Sequence, residues 1–281
     1  MISLSEHVSY LPMGENDRPN IGFVDGKKGF LIIDSGNSKR NATEFMMQTG
    51  IQKTSKPGSV VITHYHWDHT AGAAYFPFPE YSGVYTKKKL IEMHQIDWSE
   101  AEITERFCKK QLSEWSYKNM IREIKENKLT FYFRIPDHIV GKRRVWDLGD
   151  IHAIYQQITS CHCAEQYFVL IPEEKILFIG DILWPNMEGI NEQWYYNLEQ
   201  FIELKKELEK FNVQVYVDAH AEPIMREKLL LWMDKIIFLM EQMKIFPGKE
   251  LKWYLNHLPA QLKHVLLEYD KDVYQACLQC K

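Results

Sequence analysis

The chain has 281 residues, 45% hydrophobic and 26% charged, an ordinary globular composition long enough for one large domain or two modest ones. A formal net charge of -4 and a pI near 6.3 give no global basic field to recruit nucleic acid or a membrane surface, so a small molecule is the expected partner. Five cysteines, an odd and sparse count, argue against a disulfide framework; with no signal-like N-terminus and no run of eighteen apolar residues, the expectation is a soluble cytoplasmic protein with reduced thiols.

Along the chain, "NIGFVDGKKGFLIIDSG" reads as two strands joined by a turn at Asp25-Gly26. Ser38 to Thr49 reads as a first helix, capped by Asn37 or Ser38 and followed by Gly50, and "SVVITH" as a buried strand. "SGVYTKK" suggests another strand. The segment of about 87–128 is then charged and helical, with Ile103, Phe107, Leu112, Trp115, Ile121 and Ile124 at mixed three-to-five spacing, and is expected to be a helical insert between two β-rich halves. "RRVWDLGDIHAIYQQITS" and "QYFVLIPEEKILFIGD" give four more strands, the second pair turning at Pro172-Glu173-Glu174. A helix near Leu198 to Lys210, a strand "VQVYVDAH" and C-terminal helices over about 223–281 complete the order. Each half shows paired strands, an acidic tail ("IIDSG", "FIGD"), a helix and a strand ending in histidine ("VVITH", "VYVDAH"). Such a weak duplication predicts two sheets face to face with helices outside and strand ends from both halves meeting at one edge.

Chemistry concentrates in "THYHWDHTAG", where His64, His66, Asp68 and His69 fall within six residues at the passage from strand to helix. His64 and His66, two apart in extended chain, point to one side. A catalytic zinc usually takes three protein ligands and keeps a position for water, so four ligands exceed one such site and fall short of two; more are expected downstream. The motif resembles that of the metallo-β-lactamase-fold hydrolases, a superfamily that includes glyoxalase II thioesterases, lactonases and phosphodiesterases. The resemblance spans Tyr10 to about Pro223 and matches His162 in "TSCHCAEQ", Asp181 in "LFIGD" and His220 in "VDAHAEP" to the family's other ligands.

The resemblance implies an α+β four-layer αβ/βα sandwich over a single domain, 1–281. It implies two divalent metal ions, zinc first with iron or manganese as alternatives: His64, His66 and His162 at one, Asp68, His69 and His220 at the other, Asp181 bridging, and Asp34 in support behind them. The catalytic assignment falls on Asp68 and Asp181, the carboxylates that hold a hydroxide-activating pair of ions. Physical reasoning agrees, because a bridging anion offsets repulsion between two close cations, and carboxylates with neutral imidazoles suit zinc. The implied activity is hydrolysis of an ester-like bond: thioester, lactone or phosphodiester, in falling order. The alternatives are a mononuclear iron persulfide dioxygenase and a non-catalytic, metal-stabilised binding scaffold. Lactonases of this set carry a tyrosine three residues after the bridging aspartate, where this chain has Trp184.

Trp184, Trp194 and Tyr195 are candidates for an apolar substrate pocket, with Tyr196 beside them. Trp98, Phe107, Lys109, Lys110, Trp115 and Tyr117 of the insert would suit an organic substrate with an acidic group. The insert and C-terminal helices are expected to cap the cleft or build a homodimer interface. Cys161 and Cys163 flank His162, where relatives have a proline and a glycine; neighbours of a ligand in extended chain point away from it, and thiolate ligation is the alternative. "CLQC", Cys277 to Cys280, reads as free thiols in a helix. His7, His94, His138, His152, His257 and His264 read as ordinary histidines.

Overall fold

The computed structural model describes residues 1–128, 130–186, 194–267 and 270–278. Cys280 lies outside them. The first half contains β1 (Ile2–Ser3), β2 (Val8–Leu11), β3 (Ile21–Asp25), β4 (Phe30–Ile33), α1 (Lys39–Thr49), β5 (Gly58–Val61), α2 (Trp67–Thr70), β6 (Glu80–Ser82), α3 (Val84–His94), α4 (Glu100–Cys108), α5 (Glu114–Asn127) and β7 (His138–Ile139). The second contains β8 (Arg143–Asp147), β9 (His152–Ile158), β10 (Gln166–Ile171), β11 (Ile176–Gly180), α6 (Leu198–Glu209), β12 (Val215–Asp218), β13 (Ile224–Met225), α7 (Arg226–Ile245), α8 (Leu251–Asn256) and α9 (Asp270–Cys277).

The halves repeat one construction. β3 and β4 pair antiparallel, and α1 carries the chain over to β5, which lies parallel to β4. β10 and β11 likewise pair antiparallel, and α6 returns the chain to a parallel β12. The sheets run β1-β2-β3-β4-β5-β6-β7 and β13-β12-β11-β10-β9-β8. Val24, Leu31, Ile33 and Val61 of the first sheet pack on Tyr155, Tyr167, Val169 and Phe178 of the second. The opposite faces are covered by helices: Phe45 and Met46 of α1 on one side, Phe201 and Leu204 of α6 with Trp232 and Ile236 of α7 on the other. Each fully buried side chain of this kind stabilises the fold by about 1.5–3 kcal/mol. The result is the α+β four-layer sandwich.

The strand expected over "SGVYTKK" ends at Ser82, and Val84 begins α3 instead. The cause is tertiary: the buried Glu165 carboxylate accepts from the amides of Tyr85 (3.2 Å) and Thr86 (2.9 Å), satisfying the free N–H groups of a first helical turn. After α3, helices α4 and α5 pack on α2 through a separate cluster that includes Trp67, Leu90, Trp98, Ile103 and Met120. A buried Glu123 on α5 ties this helical segment to the first sheet, accepting from Ser38 Oγ (2.6 Å), Asn16 Nδ2 (3.1 Å) and Arg18 Nη2 (3.1 Å). At the C-terminal end a short strand, β13, precedes the expected helices. Among the described residues, no helix is long and apolar enough to cross a membrane.

Candidate metal centre

The C-terminal ends of β4, β5, β9, β11 and β12 meet along one edge, and the chemistry-bearing residues follow them directly. Past β5, Thr63 turns the chain by donating its amide (2.7 Å) and hydroxyl (2.9 Å) to Asp34, which follows β4. His64 follows at the bend, and α2 opens at Trp67, placing Asp68 and His69 in its first turn. Gly72 closes the motif because its backbone presses on Ser35, leaving no space for a Cβ. In the second half, a register shift between Phe178 and Gly180 aims Asp181 inward. Tyr167 donates its amide to Thr63 O (2.9 Å), and Tyr155 its hydroxyl to Ile62 O (2.7 Å). Asn20 donates to Asp218 O (2.7 Å) and Ala221 O (2.8 Å), so the two halves are locked at this edge.

The structure brings all seven candidate ligands together in two groups able to hold an ion. His64, His66 and His162 form one; Asp68, His69, Asp181 and His220 form the other. His162 Nε2 lies 2.9 Å from His66 Nδ1, and Asp68 Oδ2 lies 3.0 Å from His69 Nε2 and 3.1 Å from His220 Nε2. Asp181 Oδ2 sits between the groups, 3.3, 3.5, 3.7 and 3.8 Å from the Nε2 atoms of His69, His162, His220 and His64.

The fit to divalent cations follows from polar atoms that the protein itself leaves without hydrogen bonds. His64 Nε2 and Asp181 Oδ1 are buried without a hydrogen-bond partner, a costly arrangement that a cation beside them would relieve. The donor set, five imidazoles and two carboxylates, is that of a zinc-like ion. Burial and the neighbouring His162 push His66 down to about 3, keeping its lone pair free at neutral pH. Burial opposes the charged form of Asp181, but His69 and His220 outweigh it and draw the carboxyl down to about 2. Burial likewise opposes a charged His220, yet Asp181, Asp68 and Asp17 together raise it to about 10, so a cation there competes with a proton.

Asp34 stands behind the cluster: its Oδ2 is 2.9 Å from His69 Nδ1. His64 Nδ1 lies 3.1 Å from Thr63 Oγ1, and His162 Nδ1 is 3.1 Å from Pro185 O. The cysteines beside His162 turn elsewhere, Cys161 donating to Asn197 O and Cys163 to Glu165 O and Gln166 Oε1. Neither thiol belongs to either ligand group.

The centre opens into a cleft of about 1210 Å³. Trp184 and Trp194 line it, as do Trp98, Lys110 and Trp115 of the helical segment, whereas Tyr195 is not among its walls. Phe107 and Tyr117 instead stack on each other with centroids 4.2 Å apart, and Lys109 pairs with Glu105. Tyr196 is a core residue whose hydroxyl donates to Leu183 O. Asp17 also faces the cleft, 3.9 Å from His220 Nδ1, and burial and the Asp68 carboxylate push it up to about 7. No sequence pattern marks Asp17; the turn-forming run "GENDRP" is the only signal.

Among solved structures, the fold is similar to the sec-alkylsulfatase Pisa1 from Pseudomonas sp. (15% identity, 99% of this chain and 49% of that chain, TM-score 0.66). It is also similar to a beta-lactamase domain protein from Burkholderia ambifaria (13%, 99% and 85%, 0.59) and a metallo-beta-lactamase from Pontibacter korlensis (18%, 81% and 93%, 0.53). The chain thus spans about half the length of the alkylsulfatase. No curated protein matches it. The family profile of the metallo-beta-lactamase superfamily matches residues 15–217, which takes in the whole ligand cluster except His220, and the chain belongs to that superfamily.

Proposed function

We propose that the chain is a binuclear metal-dependent hydrolase of an ester-like bond in a small organic substrate. The observation that carries this reading is the position of Asp181 Oδ2 between two groups of ligands, within 3.8 Å of four imidazoles. One carboxylate shared in this way suits a pair of cations rather than one. His64, His66 and His162 would hold the first ion, Asp68, His69 and His220 the second, with Asp181 to both. Zinc fits the donor set best, and iron or manganese are the alternatives. Ions held there supply Lewis acidity toward a carbonyl, phosphoryl or sulfuryl oxygen and lower the pKa of water.

The protein's own part is geometric and electrostatic. Asp68 and Asp181 offset the charge that the ions bring, while Asp34, Thr63 and the Pro185 carbonyl fix three of the imidazole rings by their outer nitrogens. Trp184 and Trp194 give the substrate an apolar wall, and Lys110 on the opposing helical segment supports an acidic group on it. A thioester, lactone or phosphodiester are the bonds to test first; the alkylsulfatase likeness adds a sulfate ester.

Elemental mass spectrometry of protein purified without chelators, followed by turnover on that ester panel, tests the reading. Two zinc-like ions per chain with hydrolysis are expected, and Asp181→Ala should lose an ion together with at least 100-fold in kcat. A single iron with oxygen consumption would replace the hydrolase with a dioxygenase. Two ions without turnover on any ester would leave a binding scaffold.

A further inference from the structure

His69 and His220 belong to the same ligand group, and each directs Nε2 toward Asp68 and Asp181. Their outer nitrogens also face alike. His69 Nδ1 is hydrogen-bonded to Asp34 at 2.9 Å, and His220 Nδ1 faces Asp17 Oδ1 at an ion-pair distance of 3.9 Å. The two carboxylates share a backbone peculiarity: Asp34 has φ 61° and Asp17 φ 62°, both in the left-handed region that non-glycine residues rarely enter. Asn16, immediately before Asp17, is left-handed as well, at φ 60°. Two successive residues of this kind cost on the order of 1–3 kcal/mol each and persist only where their surroundings hold them.

Those surroundings come largely from the helical segment. Asn16 donates its side-chain amide to Glu123 (3.1 Å) and Glu126 (2.7 Å) of α5, and Asn37 donates to the Asn16 carbonyl (2.7 Å). Arg18, on the other side of Asp17, donates to the same Glu123. Trp115 at the start of α5 lines the same cleft as Asp17. The strained turn is therefore clamped from both flanks, with the carboxylate facing one ring.

We propose that Asp17 is a positioning residue for His220, its carboxylate set at ion-pair distance opposite Nδ1 so that Nε2 is presented to the second ion, and that the helical segment sets this ion's affinity through the Asn16–Arg18 turn. The inference rests on the two-ion reading. An imidazole that gives Nε2 to a cation keeps its proton on Nδ1, and a carboxylate facing that proton fixes both tautomer and ring angle. Asp17 thus faces His220 by charge where Asp34 holds His69 by a hydrogen bond, and it does so from the loop between β2 and β3.

Asp17→Asn tests this, since asparagine tolerates the left-handed turn and keeps the shape while removing the charge. Zinc titration against a competing chromophoric chelator should show the first ion unchanged within about twofold and the second weakened by about 10–100-fold. In metal-free protein the thermal midpoint of Asp17→Asn should be unmoved. Asp17→Gly, which relieves the backbone strain, should fold at least as well and weaken the second ion too. Equal affinities for both ions in wild type and both variants would overturn the inference while leaving the two-ion centre intact, as would a parallel loss of both ions and of metal-free stability. A wild-type protein that takes up one ion only would overturn the two-ion reading and this inference with it.

Discussion

At the scale of single residues, Glu80 is the acid whose burial has the most direct consequence away from the metal centre. Its side chain is 1% exposed, neither carboxylate oxygen has a hydrogen-bond partner, and the nearest cation, Arg134 Nε, stands 3.8 Å off. Burial therefore prevails over Arg134 and pushes the carboxyl up to about 8. The folded chain holds a proton here that the unfolded chain releases near the ordinary glutamate value. The contribution to stability is thus full below that value and is lost as pH rises through about 8. Glu80→Gln, a neutral isostere, should match wild type at pH 4.5 and exceed it by on the order of 2–4 kcal/mol at pH 9. Urea unfolding at the two pH values checks this; an equal gap at both would mean that Glu80 titrates alike in the folded and unfolded chain.

At the scale of elements, α3 depends on a contact that its own sequence does not announce. Gly83 stands at its N-cap, and a Cβ there would overlap the Glu165 carboxylate that caps the first turn. Gly83→Ala should displace Glu165 and cost about 1–2 kcal/mol, the usual worth of a lost cap. Hydrogen exchange over Tyr85 to Leu90 should rise, while exchange in α1 stays unchanged. The same contact explains what the chain reveals of its fold. Strands such as β4 and β11, and helices such as α1 with its Ser38 cap, are legible because short apolar runs, caps and turns are local signals. "SGVYTKK" carries strand-like residues and becomes helix because Glu165, 80 residues on from Tyr85, supplies the cap. The seven side chains gathered at the centre are all marked by spacing and by family resemblance. Asp17 is not, since its role depends on Glu123, which meets the preceding Asn16 from 107 positions away.

At the scale of the whole molecule, the centre is built from both halves, and this should be visible in stability. His64, His66, Asp68 and His69 follow β5, whereas His162, Asp181 and His220 follow strands of the other sheet. Without ions, the edge is held by a few bonds between the halves, those of Tyr155, Tyr167 and Asn20 among them, and carries the buried, unbonded His64 Nε2 and Asp181 Oδ1, which favour opening. Bound ions would join the sheets where their own packing ends. Ligation present at about 100 times its Kd adds about 2.7 kcal/mol, which for a chain of this size is about 4–5 °C in Tm. Dialysis against a chelator should lower Tm by that amount, and readdition of zinc should restore it. Hydrogen exchange should then localise the loss to residues 62–69, 160–167 and 218–221, on both sides of the cleft, with α7 protected as before. A loss confined to residues 62–69 would show that the ions bind the first half alone and that the second sheet is held by its core, which would remove the basis for a shared Asp181.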